Sequence, residues 1–158
     1  MLTDIHETDI DERIAPELGI KNLQESKNTN YDEINGLIWG PLNRSVAALT
    51  VGYKSKQIDV IFIIDSGSPT TFLTEKVFKR FGLEKVNRGT TNLIIHGKEL
   101  KIDQSHSHFI ELNVLGMDFM TYREAKILTD VSRGKYTINI KLKPLPLAME
   151  LLVAKRKI

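Results

Sequence analysis

The sequence predicts a mostly β fold with short helices. From Val46 to Leu142 the apolar residues fall in short runs divided by Gly, Ser, Asn and Asp, which is the length and punctuation of strands. Two of those divisions, His96-Gly97 and Ser132-Arg133-Gly134, have hairpin form. Helix start and stop signals are confined to short stretches. A chain of 158 residues and 18.0 kDa is the size of one domain. A chain of this length buries roughly two thirds of its unfolded surface and needs no metal or disulfide staple.

Residues 1–37 read as a polar, acidic arm or linker. The stretch KNLQESKNTNYDEIN keeps neither a helical nor a strand period. Few apolar side chains there are available to a core, so folding is expected not to need the arm. The domain itself is expected over 38–143, opening between Ile38 and Val46 near Gly40-Pro41. Trp39 beside that pair reads as a packing anchor. Val46–Val51 is the first strand of the central body and Gly52–Lys56 a turn. Ile58–Ile64 is the second strand, so apolar that both its faces must be covered. Asp65-Ser66-Gly67-Ser68-Pro69 breaks the run with turn residues. Thr74 is the N-cap of a helix over Glu75–Phe81 that Gly82 ends. Asn92–Ile95 and Lys98–Ile102 make a hairpin, His108–Leu112 a further strand with Val114-Leu115-Gly116 beyond it, and Lys126–Thr129 with Tyr136–Leu142 a second hairpin. Residues 144–158 form a tail in which Leu147–Lys157 has helix formers and a basic end suited to the macrodipole.

Charge is uneven along the chain. Residues 1–43 hold nine acids against three bases, and residues 141–158 hold five bases against one acid, while the whole chain is +2. Such blocks are ordinarily solvated ends; the alternative is an arm lying on the basic body or over a cleft. With no cysteine, thiol nucleophiles, Cys-ligated zinc and iron–sulfur clusters are excluded. No apolar stretch is long enough for a transmembrane helix, and the acidic N-terminus lacks the apolar core of a signal peptide. An intracellular, cytoplasmic setting is expected. No phosphate-binding or dinucleotide glycine motif occurs, and Lys155-Arg156-Lys157 is ordinary tail charge, so neither nucleotide nor nucleic acid is expected as a partner. His106 and His108, with His96 nearby in sequence, lack a third ligand at metal spacing and read as a polar loop; no metal and no cofactor is expected.

Asp65 is the unusual residue. It follows the run Ile61-Phe62-Ile63-Ile64, and a carboxylate at the end of such a run must stay solvated or find partners. The next residues supply backbone N–H groups, the Ser66 and Ser68 hydroxyls, and a glycine, Gly67, that lets the backbone come close. An Asx-turn in which Asp65 caps its own loop and a catalytic carboxylate fit this stretch equally well.

The stretch from Phe62 to Leu73, FIIDSGSPTTFL, resembles the active-site loop of retropepsin-like aspartic proteases, the retroviral and retroelement type. Downstream, Asn113-Val114-Leu115-Gly116-Met117-Asp118-Phe119-Met120 resembles the family's second signature, in the family's order, and the likeness spans about residues 46–142. It implies a small β domain with one active-site loop per subunit and a homodimer in which two Asp65 carboxylates face each other as the catalytic dyad. Ser66 matches the position whose hydroxyl locks the two loops, Gly67 the one that brings backbone near the dyad, and Ser68 the one whose hydroxyl can bond the outer carboxylate oxygen. Val114, Leu115 and Gly116 match the structural strand behind the loop. The implied activity is endopeptidase action on a peptide or polyprotein, without a cofactor.

The sequence also departs from the family pattern. The interval from Asp65 to Gly116 has room for one hairpin where two are expected, one being the flap over substrate. Asn92–Ile102 reads as the scaffold hairpin rather than the flap. The family's ion pair between an Arg after the second Gly and an Asp after the first loop is missing; those neighbourhoods read Met117 and Pro69-Thr70-Thr71. These departures keep a second expectation open, a retropepsin-fold dimer that binds or scaffolds peptides without turning them over.

Overall fold

The computed structural model describes residues 4–83, 91–122 and 124–139. In chain order, a helical segment comprises α1 (Glu7–Asp9), a π turn (Ile10–Ile14) and α2 (Ala15–Glu17). Then follow β1 (Glu33–Trp39), β2 (Arg44–Tyr53), β3 (Lys56–Ile64), β4 (Phe72–Leu73), α3 (Glu75–Arg80), β5 (Thr91–Ile95) and β6 (Lys98–Gln104). The last are β7 (Asn113–Leu115), α4 (Met117–Tyr122), β8 (Lys126–Asp130) and β9 (Lys135–Asn139).

Strands β3, β7, β4, β6, β5 and β2 follow one another around a closed barrel, completed by the β2–β3 hairpin. That hairpin is the longest ladder, from Val46↔Ile63 to Tyr53↔Lys56, and turns at Lys54 with φ 53°. Closure depends on two parallel pairings, β3 with β7 and β4 with β6. Outside the barrel, β1 pairs with the first half of β2, β9 pairs with β1, and β8 is an exposed edge. The barrel interior holds one cluster, with Val60 and Phe62 of β3, Leu93 of β5, Ile102 of β6 and Phe119 of α4 fully or almost fully buried.

The apolar run of β3 shows why both of its faces needed cover. Ile58, Val60 and Phe62 point into the barrel. Ile61 and Ile63 point outward with Val46 and Leu37, and the N-terminal segment covers them with Ile5, Ile10 and Ile14. This corrects the reading of residues 1–37 as a polar arm. Ile10, Ile14 and Leu18 recur one helical turn apart and form an apolar stripe, and Ile14 is completely buried. Pro16 has no N–H for the carbonyl of Glu12, and the helix loosens there by one residue into the π turn, where Ala15 N–H reaches Ile10 O. Gly19, at φ 70°, ends the segment.

The supposed linker is also structured. Leu23 N–H donates to Asp59 O (2.7 Å), Asp59 N–H to Gln24 O (2.9 Å) and Ser26 N–H to Gln57 O (2.9 Å), so residues 23–26 extend the edge of β3. β1 begins at Glu33, ahead of the expected domain start.

A second correction concerns His108–Leu112, expected as a strand. Ser107 has φ 54°, and Ser107–Phe109 is a 3-10 turn, closed by Ile110 N–H on Ser107 O at 3.3 Å and followed by a second turn with Leu112 N–H on Phe109 O at 2.9 Å. Ser105 Oγ donates to Leu112 O (2.7 Å) and ties the two ends of that loop. The strand proper is Asn113–Leu115. The hairpin expected around Ser132-Arg133-Gly134 is present as β8 and β9, with Gly134 left-handed at φ 62°. Residues 140–158, and with them the expected helix Leu147–Lys157, lie outside the described residues.

Candidate active site

Asp65 follows β3 directly, where the apolar run reaches the barrel end. Its N–H still donates to Leu115 O on β7 at 3.0 Å, so the sheet holds the backbone up to this residue. The chain then turns. Ser68 N–H returns to Asp65 O (3.1 Å) and Gly67 N–H donates to Asp65 Oδ1 (2.9 Å). A methyl at Gly67 would lie 3.1 Å from that oxygen, tighter than side chains ordinarily tolerate. Asp65 is half-buried, and Ser66 and Gly67 are exposed. The Ser68 hydroxyl, matched in sequence to a bond with the carboxylate, donates instead to Thr70 O at 2.7 Å and stiffens the loop from within.

The second signature braces this loop. The parallel register Ile63↔Val114 and Ile64↔Leu115 sets the buried pair Val114-Leu115 beside the strand that carries Asp65. Gly116 then meets the loop backbone to backbone: a Cβ there would stand 2.3 Å from Thr70 O and 2.9 Å from Ser68 O. Met117 N–H donates to Ser68 O (2.8 Å) and Asp118 N–H to Pro69 O (3.1 Å). Loop and signature are thus one hydrogen-bonded unit.

Asp118 and Thr71 complete the unit, and neither was singled out from sequence. Thr71 Oγ1 donates to Asp118 Oδ1 at 2.6 Å, Thr71 N–H donates to Asp118 Oδ2 at 3.0 Å, and Gly116 N–H donates to Thr71 Oγ1 at 3.1 Å. The carboxylate thereby reaches the segment after the loop, the region where the family pattern has an ion pair. The available signal was an acid two positions after Gly116 and a hydroxyl six after Asp65. Asn113 was missed too. Buried between strands, it donates from Nδ2 to Ile61 O (3.1 Å) and accepts Thr74 N–H at Oδ1 (2.8 Å). At the start of α3 it is thus the backbone N–H of Thr74, not its hydroxyl, that is bonded.

The other candidates separate. His96 is buried against Tyr31, with ring centroids 5.2 Å apart, while His106 and His108 are exposed, His106 meeting Phe72 edge to face and His108 lying tilted against Phe109. Among the described residues no three metal-ligating side chains converge. Trp39 is half-buried against the outer cluster, with the Arg13 guanidinium 5.7 Å from its ring centroid. The β5–β6 hairpin belongs to the barrel wall: β5 pairs with β2, β6 with β4, and Leu93, Ile95 and Ile102 are sealed in the core.

One ion pair flanks the site. Arg44 donates from Nε to Asp4 Oδ2 (2.8 Å) and from Nη2 to Asp4 Oδ1 (3.2 Å). The hydrogen bond from Arg44 holds the Asp4 carboxyl below its ordinary range, against the opposing effect of burial. The same bond raises Arg44, and the charge of Asp65 adds to that in the same direction. Among the described residues, no helix is long and apolar enough to cross a membrane.

No family model matches the sequence, and no curated protein matches it. Solved structures do. A retropepsin-like aspartic protease from Rickettsia conorii aligns with a TM-score of 0.50 at 18% identity, over 70% of this chain and 92% of that one. The retroviral protease-like domain of Ddi1 from Leishmania major aligns with a TM-score of 0.34 at 15% identity, over 63% of this chain and 96% of that one. The fold of the chain is retropepsin-like.

Proposed function

We propose that the chain is a homodimeric aspartic endopeptidase whose catalytic group is Asp65 paired with its symmetry mate. The observation that carries the reading is the unit formed by the loop that begins at Asp65 and the Gly116 segment pressed against its Ser68 and Thr70 backbone. An exposed turn that merely capped itself has no need of a second segment pressed against it to the exclusion of any side chain. A loop that must hold one carboxylate in register with another does. The retropepsin-like fold, carrying a single such loop, supports the same reading.

The chemistry follows from the pairing. Two carboxylates side by side do not both ionise, so they share a proton. The ionised member takes a proton from water as the water attacks the peptide carbonyl, and the protonated member polarises that carbonyl. The member that took the water's proton then passes it to the nitrogen as the C–N bond breaks and the amine leaves, the other carboxyl retains its own proton, and the pair ends as it began, holding one; no cofactor takes part. The N–H of Gly67, bonded to Oδ1, leaves Oδ2 available to the water. Ser66, exposed beside Asp65, is the residue expected to engage the partner loop. A polyprotein in a retroelement setting is the natural substrate class for such a dimer.

The test is cleavage of a mixed peptide library near pH 4–6, roughly the range in which paired carboxylates share a proton, read by mass spectrometry. The unaltered chain should cleave. Asp65→Asn keeps the size and most of the hydrogen bonding but cannot act as a base, and should lose about a thousandfold or more. Its stability at neutral pH should hold or rise, because repulsion between facing carboxylates is relieved. Cleavage by Asp65→Asn at the unaltered rate would refute the mechanism. A folded dimer that cleaves nothing would favour a peptide-binding or scaffolding module.

A further inference from the structure

Arg44 has a place in the sheet that the ion pair alone does not explain. It opens β2, and the ladder to β3 pairs Val46 with Ile63. The ladder ends there; carried two positions past its end, the same register sets Arg44 across from Asp65. Opposed residues of an antiparallel pair share a face, with Cβ atoms roughly 5 Å apart. That face is the outer one, carrying Val46, Ile61 and Ile63 beneath the N-terminal segment. The same segment delivers Asp4, whose side chain is only 7% exposed, onto the guanidinium.

The geometry assigns Arg44 as a positioning residue for Asp65, its cation favouring the ionised member of the pair, with Asp4 holding the guanidinium in place and offsetting part of its field. The assignment rests on the reading of Asp65 as catalytic. The charged and titratable groups around Arg44 are few. The N-terminal segment contributes Asp4 and His6, and His6 acts on Asp4. Arg13 lies over Trp39, the cross-strand partner of Arg44 on β1. Asp65 stands at the end of β3, and Asp118 on α4 is engaged with Thr71. A cation close to a carboxylate favours its charged form. Arg44 and Asp4 therefore act on Asp65 with opposite signs, although they form one ion pair.

Opposite signs give the test. Two readouts are taken on the full chain: the acid limb of kcat/KM against pH, and the titration midpoint of the Asp65 carboxyl carbon by NMR, which needs no activity. Arg44→Gln should move both upward, the direction expected when a cation near a carboxylate is removed. Asp4→Asn, which leaves the cation uncompensated, should move both downward. Arg44→Lys, which keeps the charge, should bring the midpoint back towards that of the unaltered chain. A pair that only holds the fold together would lower the melting temperature in both variants and shift neither midpoint, or shift both the same way; either result overturns the assignment. If Arg44→Gln does not fold, the direction of the Asp4→Asn shift decides. If the unaltered chain cleaves nothing, the protease reading fails, and the NMR midpoints still decide whether Arg44 acts on Asp65.

Discussion

Gly116 is the residue with least room. An added methyl would stand 2.3 Å from Thr70 O and 2.5 Å from Thr70 C, both backbone atoms that cannot swing aside. Gly116→Ala must therefore push the loop away from the strand, and should cost about 3–5 kcal/mol, as expected of severe overpacking at a fixed backbone. A urea titration checks this; a midpoint unchanged from the unaltered chain would mean that loop and signature are not in contact. Asp118→Ala tests the other side of the unit. It leaves Thr71 N–H and Oγ1 without their acceptor and should cost roughly 1–3 kcal/mol, with a larger fractional loss of cleavage than of stability. At this scale the sequence was legible where a short motif fixes local backbone geometry. Asp65 and Gly67 share one hydrogen-bonded turn, and Gly116 packs against the backbone that follows it. Asp118, Thr71 and Asn113 act through partners distant along the chain, and no local pattern announces such a contact.

The elements tell the same story on a longer range. β2, β3 and both hairpins were legible because alternation and turn residues are local signals. The stretch Ser107–Phe109 was not, because the positive φ of Ser107 breaks an otherwise strand-like run of residues. The N-terminal segment was misread for a different reason: its apolar residues are diluted by acids, and their stripe gains meaning only from the outer face of β3 that it covers. Removing residues 1–20 should therefore destabilise the barrel rather than spare it, by exposing Val46, Ile61 and Ile63. Ile14→Ala, a single truncation at a completely buried site, should cost about 2–4 kcal/mol in a thermal or urea melt. The segment also adds a pH dependence. The Asp4 carboxyl is lowered in the folded chain by its bond from Arg44. Its contribution to stability is thus complete above the unfolded value of about 3.9 and is lost as pH falls through the folded one. Asp4→Asn should be less stable than the unaltered chain at pH about 6, and the gap should close as pH falls through the lowered value of the folded Asp4 carboxyl. A gap that persists undiminished in acid would show that the pair stabilises by packing and not by charge.

At the scale of the whole molecule, one end of the barrel gathers the features that a two-fold assembly needs. Asp65 lies there, at the close of β3. The β1–β2 turn lies beside it, because Trp39 pairs with Arg44, and it presents Leu42 at 62% exposure. The β8–β9 turn is tied to the same end by Ile38 N–H on Gly134 O (2.7 Å), and presents Val131 at 77% exposure. Met117, adjoining Gly116, is also exposed. Large apolar side chains around a polar, backbone-rich loop are costly to leave in water and mark an interaction surface. A second copy, brought up by a two-fold axis through the loops, would cover them and bring a second Asp65 to the first, as the proposed mechanism requires. The chain should therefore dimerise reversibly, with cleavage following the dimer fraction. Leu42→Glu combined with Val131→Glu puts like charges on both copies, and should weaken the dimer about a hundredfold or more. The melting temperature measured at concentrations where the unaltered chain is monomeric should not change, because neither side chain packs in the core. Analytical ultracentrifugation with parallel cleavage assays decides the matter. Activity of the double variant should fall at low concentration and return as concentration rises. If the double variant sediments as the unaltered chain does, another face joins the copies. If the unaltered chain cleaves while wholly monomeric, Asp65 does not work in a pair.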